Sequence, residues 1–293
     1  MTFNLSNPLL IRGVLERHGF HFSKALGQNF LIDPTVCPRM AELSGAAEAA
    51  GVLEIGPGVG VLTAELAARA KKVVALELDA RLLPVLDETV GHFRNVKVIQ
   101  GDALKTDLAA LLAREFDGPA VVCANLPYYI TSPVLMRLLE SRLPLTRITV
   151  MVQREAAARL CAEPGTRAAG AVTYAVQYYA RPQALFDVPP ESFMPQPKVT
   201  STVMALDIRP EPPVSGCDEG LLFRLIRAAF NQRRKTLLNA LSAGPLTRQT
   251  SAEALSRAGI DPRARGETLT LADFARLAAA ADGAETDAAH PAR

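Results

Sequence analysis

The chain has 293 residues, 49% hydrophobic and 21% charged, with a net charge of +2, which suffices for about two domains at ~150 residues each and excludes a disordered or collagen-like chain. No stretch approaches the ~20 uninterrupted apolar residues of a membrane span, and Met1-Thr2-Phe3-Asn4 does not lead from a basic region into an apolar core, so a cytoplasmic protein without membrane attachment is expected. Cys37, Cys123, Cys161 and Cys217 form no Cys-x-x-Cys pair, and His18, His21, His92 and His290 have no ligand spacing, so reduced thiols and no metal site are expected.

From Val52 to Asp102, short β-branched runs alternate with helix-like segments: Val52–Ile55, a helical stretch to Arg69, Val73–Leu76 and Val96–Ile99. Such alternation predicts an α/β fold with a parallel sheet covered by helices on both faces. Strands at Ala120–Ala124, Ile148–Gln153, Ala184–Val188 and Thr202–Ile208 bring the number to about seven, with helices near Ser132–Glu140 and Arg154–Cys161. Arg209-Pro210-Glu211-Pro212-Pro213-Val214-Ser215-Gly216 can continue neither strand nor helix and reads as a linker. Beyond it the period is helical, with Ile226, Phe230, Leu237 and Leu241 on one face and Arg224, Arg227, Asn231 and Arg234 on another. The expected organisation is an α/β domain over 1–208, a linker over 209–217, a small all-helical domain over 218–281 and a disordered tail over 282–293. No internal repeat is present.

Charge is unevenly spread. Between Glu219 and Glu253 there is no acidic residue, and Arg224, Arg227, Arg233, Arg234, Lys235 and Arg248 give that window a charge of +6. It reads either as a docking face for nucleic acid or as a solvated helix face.

Three glycines, Gly56, Gly58 and Gly60, lie between the first strand and its helix, where a ligand can approach bare backbone at the positive helix end. The alternative is a tight turn with no ligand. A dinucleotide fingerprint needs a glycine where Val61 stands, which disfavours a nicotinamide enzyme. Glu77 closes the next strand, 21 residues after Gly56, where its carboxylate could accept both hydroxyls of a ribose; Asp102 closes the third, placed for an adenine amine. Either could instead be a solvated strand end.

Asn125-Leu126-Pro127-Tyr128 follows the fourth strand, at the carboxyl edge of the sheet where open α/β folds bind ligands. An exocyclic adenine amine is a poor nucleophile because its lone pair is delocalised, so a site must draw the nitrogen toward tetrahedral geometry with acceptors. The Asn125 side-chain oxygen and the Leu126 carbonyl are such acceptors, Pro127 stiffens the turn, and the Tyr128 ring can stack on an extruded base. A proline turn with a core tyrosine is the competing reading. Phe193, in a proline-stiffened loop before the last strand, could complete a base sandwich or merely anchor its loop.

These segments, together with Leu26-Gly27-Gln28-Asn29-Phe30-Leu31, Phe230-Asn231-Gln232-Arg233-Arg234-Lys235-Thr236-Leu237 and Arg265-Gly266-Glu267-Thr268-Leu269, resemble the RNA adenine-N6 dimethyltransferases of the small ribosomal subunit, from Lys24 to about Ala279. The resemblance implies a Rossmann-like domain using S-adenosyl-L-methionine and releasing S-adenosyl-L-homocysteine, with no metal. It also implies a helical domain that engages ribosomal RNA through Arg224, Arg227, Arg233, Arg234 and Lys235. By the same resemblance, Asn29 and Leu31 in an N-terminal covering segment contact the cofactor, as do Gly56 at its methionine end, Glu77 at its ribose, Asp102 at its adenine and Asn125 at its reactive end. The implied reaction dimethylates two adjacent adenosines in the 3′-terminal hairpin loop of 16S rRNA on an immature small subunit, by a chain expected to be monomeric when free. Tyr129 follows Tyr128 where many bacterial relatives carry asparagine, and Gln196 interrupts the usual proline run. Two other readings stand beside this one: an adenine-N6 methyltransferase of 23S rRNA of the antibiotic-resistance type, and a ribosome-assembly factor whose binding matters more than its catalysis.

Overall fold

The computed structural model of the chain describes residues 5–21 and 28–289 and divides into two compact units, Met1–Ala157 with Ala180–Ile208, and Ala158–Tyr179 with Arg209–Arg293. Lys24, Leu26 and Gly27 lie outside the described residues.

The first unit is built on a seven-stranded sheet. Its strands are β2 (Val52–Ile55), β3 (Val73–Glu77), β4 (Val96–Gln100), β5 (Ala120–Asn125), β6 (Leu145–Gln153), β7 (Ala180–Val188) and β9 (Ser201–Ile208), in the spatial order β4-β3-β2-β5-β6-β9-β7. The first five run parallel, while β9 is antiparallel to β6 and to β7. All seven strands expected from the sequence are present. Two short strands escape that reading: β1 (Phe30–Leu31) and β8 (Phe193–Met194) pair antiparallel, Leu31 opposite Phe193.

Parallel strands are covered on both faces and so read as continuous apolar runs; β2, β3 and all but the last residue of β5 are buried along their length. Alternating residues on one face, Val52, Val73, Val121, Cys123 and Met151, share a core with Cys37 and Met40 of α2 (Val36–Leu43), Leu62 and Leu66 of α3 (Val61–Ala67), and Val85 and Leu86 of α4 (Leu83–Val90). Helix α1 (Pro8–Arg17) begins at Asn7, whose side chain accepts the Leu9 N–H, and joins α4 where Arg17 and His18 both bind Glu88. Helices α5 (Leu108–Glu115), capped by Asp107, α6 (Thr131–Glu140) and α7 (Arg154–Leu160), the last where the sequence places a helix, follow in chain order.

The second unit takes α8 (Ala171–Tyr179) from mid-chain, so the expected first-domain span of 1–208 is corrected: 158–179 packs elsewhere. The Tyr174 ring lies edge-on to Phe274 and near Phe230, and its hydroxyl donates to the Leu269 carbonyl, contacts that no local sequence pattern announces. The Arg209–Gly216 stretch carries no helix or strand. The helical period beyond it resolves into α9 (Glu219–Asn231), a break at Gln232, and α10 (Leu237–Ser242), followed by α11 (Arg248–Arg257) and α12 (Leu271–Ala289). Helix α12 passes residue 282, where a disordered tail was expected to start, and His290–Arg293 lie outside the described residues.

The segments around Phe230–Leu237 and Arg265–Leu269 cross-link this unit. A Cβ on Gly266 would lie 2.6 Å from the Ala229 Cβ, so only glycine permits that approach. The Arg233 guanidinium donates to the carbonyls of Arg167 and Ala169 and to Glu267 Oε2 at 2.9, 3.2 and 3.0 Å. Arg233 therefore braces the fold through Nη2 while its side chain stays 42% exposed. Arg224 and Arg227 are exposed on α9, and Arg234 and Lys235 are exposed on the turn after it.

Glu115, at the end of α5, carries the densest ion cluster of the first unit: its side chain is 3% exposed and takes Lys72, Lys97 and Arg114 at 2.9, 2.7 and 2.9 Å. Hydrogen bonds from Lys97, then Arg114 and Lys72, hold its carboxyl down at about 2. A carboxyl depressed on folding contributes stability above its unfolded value and loses it as pH falls toward the folded one. Because all three cations reach water, the contribution is roughly 1–2 kcal/mol. E115Q should lower stability by that amount at pH 7 and by little near pH 2, as measured by urea denaturation across that range.

Candidate functional site

A cavity of about 290 Å³ opens at the carboxyl ends of β2, β3 and β5. Its wall includes Asn29, Leu31, Gly56, Gly58, Glu77, Asp102, Asn125, Leu126, Pro127, Tyr128 and Phe193, so eleven sequence-singled residues from six separate segments converge on one space. Gly60 does not line it. Its φ is +89°, and a Cβ there would lie 2.7 Å from Val90 Cγ1, so this glycine serves the packing of α3 on α4 rather than a ligand, a correction to its expected contact.

The loop leaves β2 through Gly56 and Gly58, at φ +71° and +61°, which turns backbone toward the cavity without side chains. It is held by the acid on the neighbouring strand: Gly58 N–H donates to Glu77 Oε2 at 3.2 Å, and Asp79 N–H to Glu77 Oε1 at 2.8 Å. Each carboxylate oxygen retains a second acceptor site. Burial raises the Glu77 carboxyl above its ordinary value, and the backbone donors pull it back. Asp79 is pulled down by Arg81, and Gln28 also donates to it at 3.0 Å, which attaches the N-terminal segment beside Glu77. Asp102 caps its own turn through Leu104 N–H at 2.9 Å, with Lys105 Nζ 3.7 Å from its other oxygen.

On the opposite wall, Asn125 Nδ2 donates to the Asn29 carbonyl at 3.4 Å, which commits the amide nitrogen and leaves Oδ1 as an acceptor. The Pro127 carbonyl accepts the Ile130 N–H at 3.1 Å and the Thr131 hydroxyl at 3.3 Å, fixing the turn that carries the tetrapeptide. The Tyr128 hydroxyl lies 2.7 Å from Ser201 Oγ, and Ser201 is fully buried at the start of β9. Phe193 comes from β8, whose pairing with β1 is reinforced by Ser192: its carbonyl accepts the Ile32 N–H at 2.8 Å and its hydroxyl donates to Asp33 at 3.0 Å. One antiparallel ribbon thus carries both Leu31 and Phe193 to the cavity.

Three residues of this site went unnoticed in the sequence. Ser201 is 73 positions from Tyr128 and has no local signature. Gln28 was read only as part of a motif. Glu54, fully buried on β2 and lining the cavity, did leave a signal, an acid inside a central parallel strand. Its Oε2 has no hydrogen-bond partner among the described residues.

The buried thiols of Cys37 and Cys123 are pushed well up by burial, so both behave as core side chains. Among the described residues no cluster of His, Cys, Asp and Glu could hold a metal ion, and no helix is long and apolar enough to cross a membrane.

Burial, with the Glu77 charge adding, pushes the Glu54 carboxyl up to about 8. Between the ordinary carboxylate range and that value the folded chain holds a proton that the unfolded chain has lost, so this group lowers stability as pH rises through the window. E54Q, which stays neutral, should flatten the fall in stability of the ligand-free protein between pH 5 and 8 by a few kcal/mol in denaturant titrations; parallel profiles for the two proteins would contradict the protonated assignment.

The family model described as ribosomal RNA adenine dimethylase matches residues 19–282. Ribosomal RNA small subunit methyltransferase A of Shouchella clausii is 49% identical over 279 residues, covering 94% of either chain. The same-named protein of Geobacillus thermodenitrificans is 48% identical, covering 94% of this chain and 97% of its own. Among solved structures, a dimethyladenosine transferase from Plasmodium falciparum aligns over 85% of this chain and 95% of its own with a TM-score of 0.68 at 26% identity. The 23S rRNA methyltransferase ErmE aligns over 86% and 99% with a TM-score of 0.65 at 27% identity. With the glycine loop, paired strand-end acids and asparagine-to-tyrosine turn gathered on one cavity, the chain belongs to the ribosomal RNA adenine dimethylase family.

Proposed function

We propose that this chain transfers methyl groups from S-adenosyl-L-methionine to the N6 amines of two adjacent adenosines in the 3′-terminal hairpin loop of 16S rRNA, within an immature small ribosomal subunit. The observation that carries the reading is the single cavity shared by the glycine loop with its acids and by the Asn125–Tyr128 turn with Phe193. The near-half identity to small-subunit methyltransferases favours that RNA over the large-subunit target named for ErmE, which matches at 27%. We also propose a monomer acting in the cytoplasm; that the cavity is walled by a single chain supports the monomer.

The residues suit the cofactor's chemistry. S-adenosyl-L-methionine brings an ammonium, a ribose diol and an adenine amine, all donors, and the cavity offers acceptors in Glu54, whose Oε2 lacks a partner, and in Glu77 and Asp102. An ammonium beside Glu54 would ionise it and remove the cost of its burial. Gly56 and Gly58 let the backbone approach the methionine end, while Asn29 and Leu31 cover it. The cofactor supplies a methyl on a sulfonium and leaves neutral.

The rest of the catalysis is positioning. Tyr128 and Phe193 would sandwich the extruded adenine and exclude water from its amine. Asn125 Oδ1 and the Leu126 carbonyl would accept the amine hydrogens, draw the lone pair out of the ring and stabilise the positive charge that grows on nitrogen. Preset geometry of this kind can contribute up to roughly 7–11 kcal/mol in ideal cases. After each transfer the cationic nitrogen loses one proton to solvent; the monomethylated amine then keeps one hydrogen and needs one acceptor, so the same pair serves the second transfer.

The direct test incubates the protein with labelled methyl donor and undermethylated small subunits and maps the product by mass spectrometry. Dimethylation of the two adjacent adenosines is expected; label confined to 23S rRNA would overturn the reading. N125A and Y128A should each cut the transfer rate by at least about a hundredfold while cofactor affinity, read by calorimetry, changes little. Joint neutralisation of Arg224, Arg227, Arg234 and Lys235 should weaken subunit binding and flatten its salt dependence by up to about four counterions, whereas an unchanged slope would mark a merely solvated face.

A further inference from the structure

The turn after β5 sets two tyrosines side by side in opposite conditions. Tyr128 is tied down through its hydroxyl to buried Ser201. Tyr129 lines the same cavity yet is 55% exposed, the one aromatic among the large apolar side chains left exposed in the described residues. The backbone beneath it is not loose: the Pro127 carbonyl takes both the Ile130 N–H and the Thr131 hydroxyl, and α6 begins at Thr131. A single exposed apolar side chain on a protein surface is ordinary. A ring held by a closed turn at the rim of a slot lined by three further aromatics, Phe30, Tyr128 and Phe193, calls for a partner.

Chemistry supplies one. Drawing a base out of its stack leaves the next nucleotide at the rim with one face bare, and an aromatic ring can take the place of the lost neighbour whatever the base. We infer that Tyr129 is a substrate-positioning residue whose ring stacks on the nucleobase adjacent to the one being methylated. By gripping that neighbour, Tyr129 sets the register of the strand, and when the two adjacent adenosines exchange places it supports the second as it did the first. The inference builds on the reading of the site as an adenosine methyltransferase and adds a contact outside the methylation slot.

Small subunits reassembled around 16S rRNA with a synthetic 3′ hairpin strand provide the test, carrying either both adenosines or one adenosine beside an abasic sugar. Y129A should raise KM for the intact subunit roughly 5- to 100-fold, the range of one lost base stack, with kcat and cofactor affinity within about twofold of wild type. Y129F should restore KM, and L9A, which removes a side chain 75% exposed on α1, should change nothing. On the abasic strand, wild type should show the same loss and Y129A should add none, because the contact is already gone. Losses that multiply, or a Y129A protein matching wild type on intact subunits, overturn the inference while leaving the methyltransferase reading in place; failure of wild type to methylate intact subunits overturns both.

Discussion

Between β2 and β5 the strand order reverses. From β2 the chain builds outward through β3 and β4, and it returns to lay β5 and β6 on the other side. Loops leaving two parallel strands at such a switch point run to opposite faces, and the crevice between them cannot be closed by a helix. The glycine loop leaves β2 on one side of this crevice and the Asn125–Tyr128 turn leaves β5 on the other, so topology alone brings these two walls face to face. The other features of the site trim this crevice. The β1–β8 ribbon lays Leu31 and Phe193 across it, and β9 anchors Tyr128 through Ser201.

A methyl transfer of this kind asks little covalent chemistry of the protein and much rigidity. Most polar groups around the cavity are held by backbone: Glu77 by Gly58 and Asp79, Asp102 by Leu104, Asn125 by Asn29, and the Pro127 carbonyl by Ile130. Glu54 stands apart as a fully buried carboxyl with an unpartnered oxygen, which is costly for the protein alone and suited to a site that receives a cation. The site thus combines acceptors already held in place with one buried acid that lacks a hydrogen-bond partner on Oε2.

Much of this was legible in the sequence because it is local or periodic. The strands of the main sheet other than β7, whose one β-branched residue is Val188, announce themselves as short runs with β-branched residues, and the glycines, Glu77, Asp102 and the Asn125–Tyr128 turn fall at strand ends that the runs define. What stayed hidden is non-local or too short to have a period. Two-residue strands such as β1 and β8 carry no pattern. Ser201 acts on a tyrosine in a distant segment, and α8 joins the second unit through Tyr174 contacts with Phe230, Phe274 and Leu269. Residue type also tells only part of two roles. Gly60 looks like its two neighbours in the loop but packs against Val90, and Arg233 lies in a basic run yet also commits Nη2 to two carbonyls and Glu267. Charge and glycine patterns identify which segments matter, while the partner of each side chain is set by contacts that only the fold creates.

The central claim is that adenine meets the methyl donor between the two walls of this crevice, held by an amide oxygen and a peptide carbonyl. A crystal structure of the protein with S-adenosyl-L-homocysteine and adenosine tests it most directly. The account predicts the adenosine ring between Tyr128 and Phe193 with its N6 within hydrogen-bond distance of both Asn125 Oδ1 and the Leu126 carbonyl. Adenosine bound elsewhere, or in the crevice with its amine turned away from those two oxygens, would contradict it.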